Sequence, residues 1–268
     1  MTGVEAVGLW VGVFSYVLAV VALTAAAFFD KRWMRLAGLG LAGLGFGAHS
    51  LAIVVRWAAT GHAPVMGAYE NSLSGAWFVV AIAGAFFLRY RAALRALPLV
   101  LGATVLLLGN GIMAPATLAP LEPPYRSVWL GVHVVFAWFG FSAYVVASGL
   151  AGYHLFLTRA SVSTPAPRAG LVDEVSARLI AFGFVSHAVM LASGAIWAHG
   201  LWGRYWAWDP VETWSLVSWL VYGVYLHLRF TLGWKARRAS WVAMAAVAAI
   251  LVTFFGIGVV SDVHTELL

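Results

Sequence analysis

Six tryptophans, Trp197, Trp202, Trp206, Trp208, Trp214 and Trp219, fall within 23 residues, where even spacing of the chain's 14 would put about one. Indoles offer broad π-faces and one N–H donor each, which suits a planar amphiphilic ligand. Within the cluster Gly203 lets backbone approach such a ligand closely, and Arg204 is placed to pair with a carboxylate. Asp209, before Pro210, is placed to cap a helix, with Glu212 in its first turn. An aromatic belt at the headgroup level is the plainer alternative, but a belt spreads over all helix ends. Of the eight histidines, His133 precedes the cluster and His264 follows it. Paired imidazoles from opposite sides are what a low-spin haem iron takes as axial ligands.

The elements that must position these groups are apolar helices. The 268 residues are 63% hydrophobic and 10% charged, against roughly 25% charged in soluble domains. Mean hydropathy is +0.90. Charge-poor runs of the length needed to cross a bilayer recur throughout. We expect an all-α polytopic membrane helix bundle forming one integral membrane domain over 1–268. Its eight spans are drawn at about 6–29, 36–55, 72–88, 96–114, 128–157, 179–198, 213–230 and 241–260. The fifth run would be about 45 Å long as a helix. Segment 161–172 reads as a linker, and the first apolar segment does not read as a cleavable signal.

Charge sets the expected orientation. Alternate connections collect 13 of the 16 basic residues against three acids, and the other side collects three basic residues against seven acids. By the positive-inside rule, both termini and the tryptophan loop at about 199–214 lie outside. The scattered positive charge is therefore topological, with no stripe for nucleic acid. The absence of cysteine excludes disulfides, thiolate metal sites and a cysteine nucleophile within the chain.

His133, five residues into span five, and His264, beyond span eight, are expected at the level of the loop. His227 lies near the inner end of span seven, and His154, at similar depth, is placed to share a site with it. Intramembrane ionisable groups are functional candidates by default. For His49, His154 and His187 a helix–helix hydrogen bond is the favoured role. His62 and His199 are expected to be solvated. His49 and Arg56 share a face of span two. Glu70 and Asn71, in Tyr69-Glu-Asn-Ser72, are expected to cap span three.

The stretch Trp202-Gly-Arg-Tyr-Trp-Ala-Trp-Asp-Pro-Val-Glu-Thr-Trp214 resembles the WWD signature of haem-handling proteins. It is most similar to the CcsA/ResC subunit of the two-component (System II) cytochrome c synthase. The likeness continues through Ser215–Arg229, into Gly194-Ala-Ile-Trp-Ala198 and into Ala68-Tyr-Glu-Asn-Ser72. Val211 stands where that family usually has Lys, and Asp262-Val-His264-Thr where it has Gly-Leu-His-Ser.

The resemblance implies haem b held as substrate by His133 and His264 beside Trp202, Gly203, Arg204, Trp206, Trp208 and Asp209, with His227 as a membrane ligand. It implies haem lyase activity toward apocytochrome c Cys-x-x-Cys-His motifs, working with a CcsB/ResB-type partner that supplies a second membrane ligand. A thioredoxin-like thiol reductase would keep the acceptor reduced. No catalytic residue is assigned. The implied location is a bacterial cytoplasmic membrane, or a thylakoid membrane in a plastid. The rival readings are a haem exporter or chaperone of the same WWD class, a proton or ion translocator using His49, Arg56, His187 and His227, and a purely structural membrane subunit.

Overall fold

The structure, a computed structural model, describes residues 1–159 and 166–256. Among them are eight α-helices and no strand. Seven regions are long and apolar enough to cross a membrane, which makes this an integral membrane protein. The remaining helix, Pro210–Phe230, carries Glu212, His227 and Arg229 among its 21 residues, which lowers its hydropathy. At that length it still reaches about 30 Å. The chain divides into two compact units, Met1–Pro123 and Pro124–Leu268.

The first unit holds α1 (Gly3–Phe29), α2 (Arg32–Thr60), α3 (Gly67–Arg89), a 3₁₀ turn (Arg91–Ala96) and α4 (Leu97–Ile112). A capping box starts α1: Glu5 N–H donates to Thr2 Oγ1, and Thr2 N–H donates to Glu5 Oε2. Small residues let α1 and α2 meet closely; a Cβ on Gly8 would lie 3.0 Å from Ala48 O.

The interior of this unit is polar at one point. Arg56 donates from Nε to Glu70 (2.6 Å), from Nη1 to Glu5 (3.0 Å) and from Nη2 to the Thr117 carbonyl (2.6 Å). Tyr69 adds its hydroxyl to Glu5 at 2.9 Å, and all four side chains are buried. Every carboxylate oxygen in this cluster has a donor, because Glu70 Oε2 also accepts from Met66 N–H at the start of α3. Glu70 thus both ties down the entry to α3 and neutralises Arg56.

The second unit holds α5 (Val128–Arg159), α6 (Ala166–Trp202), α7 (Pro210–Phe230) and α8 (Ala236–Leu251), which ends in a π-helical turn, Val252–Gly256. α5 has the expected extent. α6 starts earlier than expected, inside the segment read as a linker, and reaches 37 residues. The reason is electrostatic. Arg229 near the end of α7 donates to Asp173 (2.7 Å) and Glu174 (3.3 Å), while Glu174 also pairs with Arg178 one turn on. Charges that look like a loop in sequence are here pinned to a neighbouring helix. Residues 160–165 lie outside the described residues.

Candidate functional site

His133 lies on α5, where its Nδ1 is 2.9 Å from the carbonyl of Met190 on α6. A carbonyl can only accept, so Nδ1 carries the proton and Nε2 keeps its lone pair. The ring is seated on α6 because residue 194 is glycine: a Cβ there would stand 2.6 Å from Nδ1 and 2.9 Å from Cε1. A metal-binding imidazole commonly has its second nitrogen held in this way.

Helix rise places the tryptophan loop relative to this ring. His187 on α6 lies against the backbone of Ser215 on α7. Met190 is three residues further along α6, about 4.5 Å at 1.5 Å per residue, and the same rise on antiparallel α7 leads back to Glu212. His133 therefore stands level with the first turn of α7. α6 continues beyond Met190 for 12 residues, about 18 Å, to Trp202. The connection 203–209 must recover that distance, and seven residues span at most about 25 Å. The loop is consequently drawn out along the end of α6.

Its ends are fixed by local chemistry. Gly203 takes φ +70° and its N–H bonds the His199 carbonyl at 2.9 Å, closing α6. At the other end Asp209 Oδ1 accepts from Glu212 N–H at 2.8 Å, and Pro210 occupies the first helical position. Glu212 in turn accepts from Ala207 N–H at 2.7 Å, tying the loop to the helix it precedes. Trp208 sits at φ +59°, an uncommon conformation for a bulky side chain, and is 71% exposed.

The six tryptophans divide into two groups. Trp197 donates to the Pro124 carbonyl (3.1 Å), and Trp219 donates to the Phe184 carbonyl (3.2 Å) while stacking on the Phe184 ring. These two are packing residues. Trp202, Trp208 and Trp214 expose their indoles, and Arg204 is exposed with no ion pair among the described residues. Trp206 is partly covered, and its Nε1 is buried without a hydrogen-bond partner among the described residues. Trp202 rests edge-on against Trp197 with centroids 5.5 Å apart, and Trp206 against Trp208 at 5.8 Å.

The other histidines separate by role. His49 joins helices through Leu73 O (3.0 Å) and Tyr16 (3.4 Å), and His154 joins α5 to α8 through Ser240 (3.0 Å). His62, expected to be solvated, is buried, with its ring nitrogens 2.8 and 3.0 Å from the carbonyls of Ala63 and Ala119. The connection folds back over it, which nothing local in the sequence announces. His199 is exposed and stacks on Tyr205 at 4.2 Å. His227 is exposed on α7, among Leu220, Val224 and Phe230. His264 lies outside the described residues. The last described turn is pinned to α7, where Thr253 Oγ1 bonds the Trp214 carbonyl (3.0 Å) and the Ser218 hydroxyl (2.6 Å).

Sequence reasoning missed Met190, and it named Gly194 only within the resembling segment Gly194–Ala198, without its role as the seat of His133. The one signal was that His187 and Gly194, seven apart, share a helix face with Met190 near it.

Residues 49–264 match the family described as cytochrome C assembly protein. The chain is 34% identical to the cytochrome c biogenesis protein CcsA of Synechococcus sp. (strain CC9311), over 76% of this chain and 79% of that one. It is 30% identical to CcsA of Chlamydomonas reinhardtii, over 79% of this chain and 63% of that one. Among solved structures, the cytochrome c heme lyase CcmF shares the fold, with a TM-score of 0.74 at 19% identity over 95% of this chain. The chain spans about half the length of that structure (47%). The chain thus belongs to the cytochrome c assembly protein family, as a protein of the CcsA type.

Proposed function

We propose that this chain is the haem-presenting subunit of a cytochrome c haem lyase. Haem is its substrate, held beside the loop 202–209 with iron on Nε2 of His133 and, from the other side, on His264. The observation that carries this reading is the His133–Met190 hydrogen bond across Gly194, which leaves one imidazole nitrogen oriented and unprotonated. Exposed Trp202 and Trp208 offer faces to the macrocycle, with Trp206 packed edge-on against Trp208, and Arg204 offers its charge to a propionate. Asp209 positions Trp208 by fixing the start of α7.

The chain has no thiol, so its work is orientation. Each acceptor thiol adds across one vinyl group: S–H breaks, S–C forms, and the hydrogen ends on the vinyl's terminal carbon. The incoming Cys-x-x-Cys-His histidine replaces one axial ligand, which reversible imidazole ligation permits. The loop faces the extracytoplasmic side of the cytoplasmic or thylakoid membrane, as the charge bias requires.

His227 supports a partner requirement. An imidazole exposed on an apolar helix face is costly against lipid and is relieved by a second subunit, here of the CcsB/ResB type, sharing a haem with it. A thioredoxin-like reductase acts on the acceptor. The test is the reduced optical spectrum of the purified protein with its partner, wild type beside His133→Ala, His264→Ala and His227→Ala. Sharp low-spin bands that weaken in the outer variants and return with added imidazole are expected. A colourless wild-type complex supplied with haem would overturn the proposal.

A further inference from the structure

The first unit contains a strap that haem presentation does not use. After α4 the chain runs through residues 113–122 without helix or strand, and Pro115 and Pro120 withdraw N–H groups that either would need. Its carbonyls are engaged instead by groups from other segments. Ala116 O accepts from the Met1 amino group (2.7 Å), Thr117 O accepts from Arg56 Nη2 (2.6 Å), and Ala119 O lies 3.0 Å from His62 Nε2. His62 stands just past α2, which Gly61 closes at φ +76° with its N–H on the Trp57 carbonyl. On the other side of the ring, Nδ1 lies 2.8 Å from the Ala63 carbonyl, and the residue is only 7% exposed.

Both ring nitrogens thus face carbonyl oxygens, which can only accept. A neutral imidazole has one N–H and one lone pair, so it bonds one carbonyl and sets its lone pair against the other; only the imidazolium donates to both. We propose that His62 is a proton-operated latch on the strap 113–122: protonated, it holds the Ala119 carbonyl, and neutral, it lets that carbonyl go. The bond to Ala63 is the one that survives loss of the proton, because Ala63 is the next residue, whereas the bond to Ala119 closes a span of 57 residues. The surroundings admit the charge. The charged and titratable groups on the elements around the ring are the Met1 amino group and Glu5 at the start of α1, Arg56 of α2, Tyr69 and Glu70 of α3, and exposed Glu122 of the strap; α4 carries no charged residue. Buried Glu5 and Glu70 bring two negative charges against one positive charge from Arg56, and a protonated His62 brings the buried sum to zero. The latch stands apart from haem attachment and is read without haem.

A spin label on the strap tests it. The chain has no cysteine, so Leu118→Cys, at an exposed position beside Ala119, carries a single nitroxide on the full-length purified protein. Its EPR line shape is recorded at about pH 5.5 and about pH 8, on either side of the roughly 6.5 at which an imidazole ordinarily titrates. Rotational mobility at residue 118 is expected to rise several-fold at the higher pH. The same label in His62→Gln, whose side chain takes up no proton, should be mobile at both. A label at Leu106→Cys, exposed on α4, should not respond to pH. The response at residue 118 is read with His62 in place, so it stands even if His62→Gln fails to fold. Equal mobility at the two pH values, a response that persists in His62→Gln, or a response shared by residue 106 would each overturn the proposal.

Discussion

A methyl group at residue 194 tests the seat of His133 directly. In Gly194→Ala the new Cβ would stand 2.6 Å from Nδ1 of the ring, against an ordinary contact of about 3.5–4.0 Å. The ring must therefore move by about 1 Å. It cannot do so freely, because the atom it meets is the one bonded to the Met190 carbonyl at 2.9 Å. Such a shift stretches that bond beyond useful length. The direct cost to stability is about 1 kcal/mol. The larger consequence is for ligation, since removing the outer partner of a metal-binding imidazole typically lowers affinity by about 10–100-fold. Haem titration of the complex, followed by the reduced low-spin bands, should show a loss of that size, restored by added imidazole. Gly131→Ala is the matched control on α5: no atom lies within 4 Å of its Cβ, so it should retain wild-type affinity. If Gly194→Ala binds haem as the wild type does, the ring is not positioned by Met190 for ligation, and the central observation behind the proposed function is lost.

Other substitutions probe the framework. Glu70→Ala leaves Arg56 buried with half its carboxylate partners, so an apparent stability loss of about 3–5 kcal/mol is expected in thermal denaturation; an unchanged Tm would contradict it. His49→Ala should lower Tm through loss of the Leu73 and Tyr16 contacts while leaving the haem spectrum intact, and a lost spectrum would make His49 part of the haem site. Glu212→Ala frees the Ala207 N–H, so the loop should loosen and trypsin should cut faster after exposed Arg204; equal cleavage rates would refute the tether. Arg229→Ala leaves Asp173 buried without its cation, and amide exchange over 169–178 should accelerate; unchanged protection would mean that α6 holds its first turns alone.

The legible parts of this protein are those written in contiguous residues. Apolar run length announced the helices, and the packed spacing of tryptophans announced the loop. Asp209-Pro210 announced the start of α7 through a cap that needs only three residues to form. The illegible parts are those in which a charge or a ring is satisfied by a distant segment. Asp173 and Glu174 fell outside the expected span six, 179–198, because their partner, Arg229, lies more than 50 residues away on α7. His62 read as solvated because its carbonyl partner at Ala119 is 57 residues along the chain.

The same distinction separates the two halves of the candidate site. The role proposed for the loop depends on residue type, and aromatic and basic side chains show in sequence. The role proposed for His133 depends on which nitrogen is free, and that is decided by a backbone carbonyl, which every residue has and no sequence displays. Met190 is chosen as acceptor by its place on α6, not by its side chain, and Gly194 matters for the atom it lacks. A sequence can therefore nominate a histidine as a ligand, but the tautomer that makes it one is a property of two packed helices.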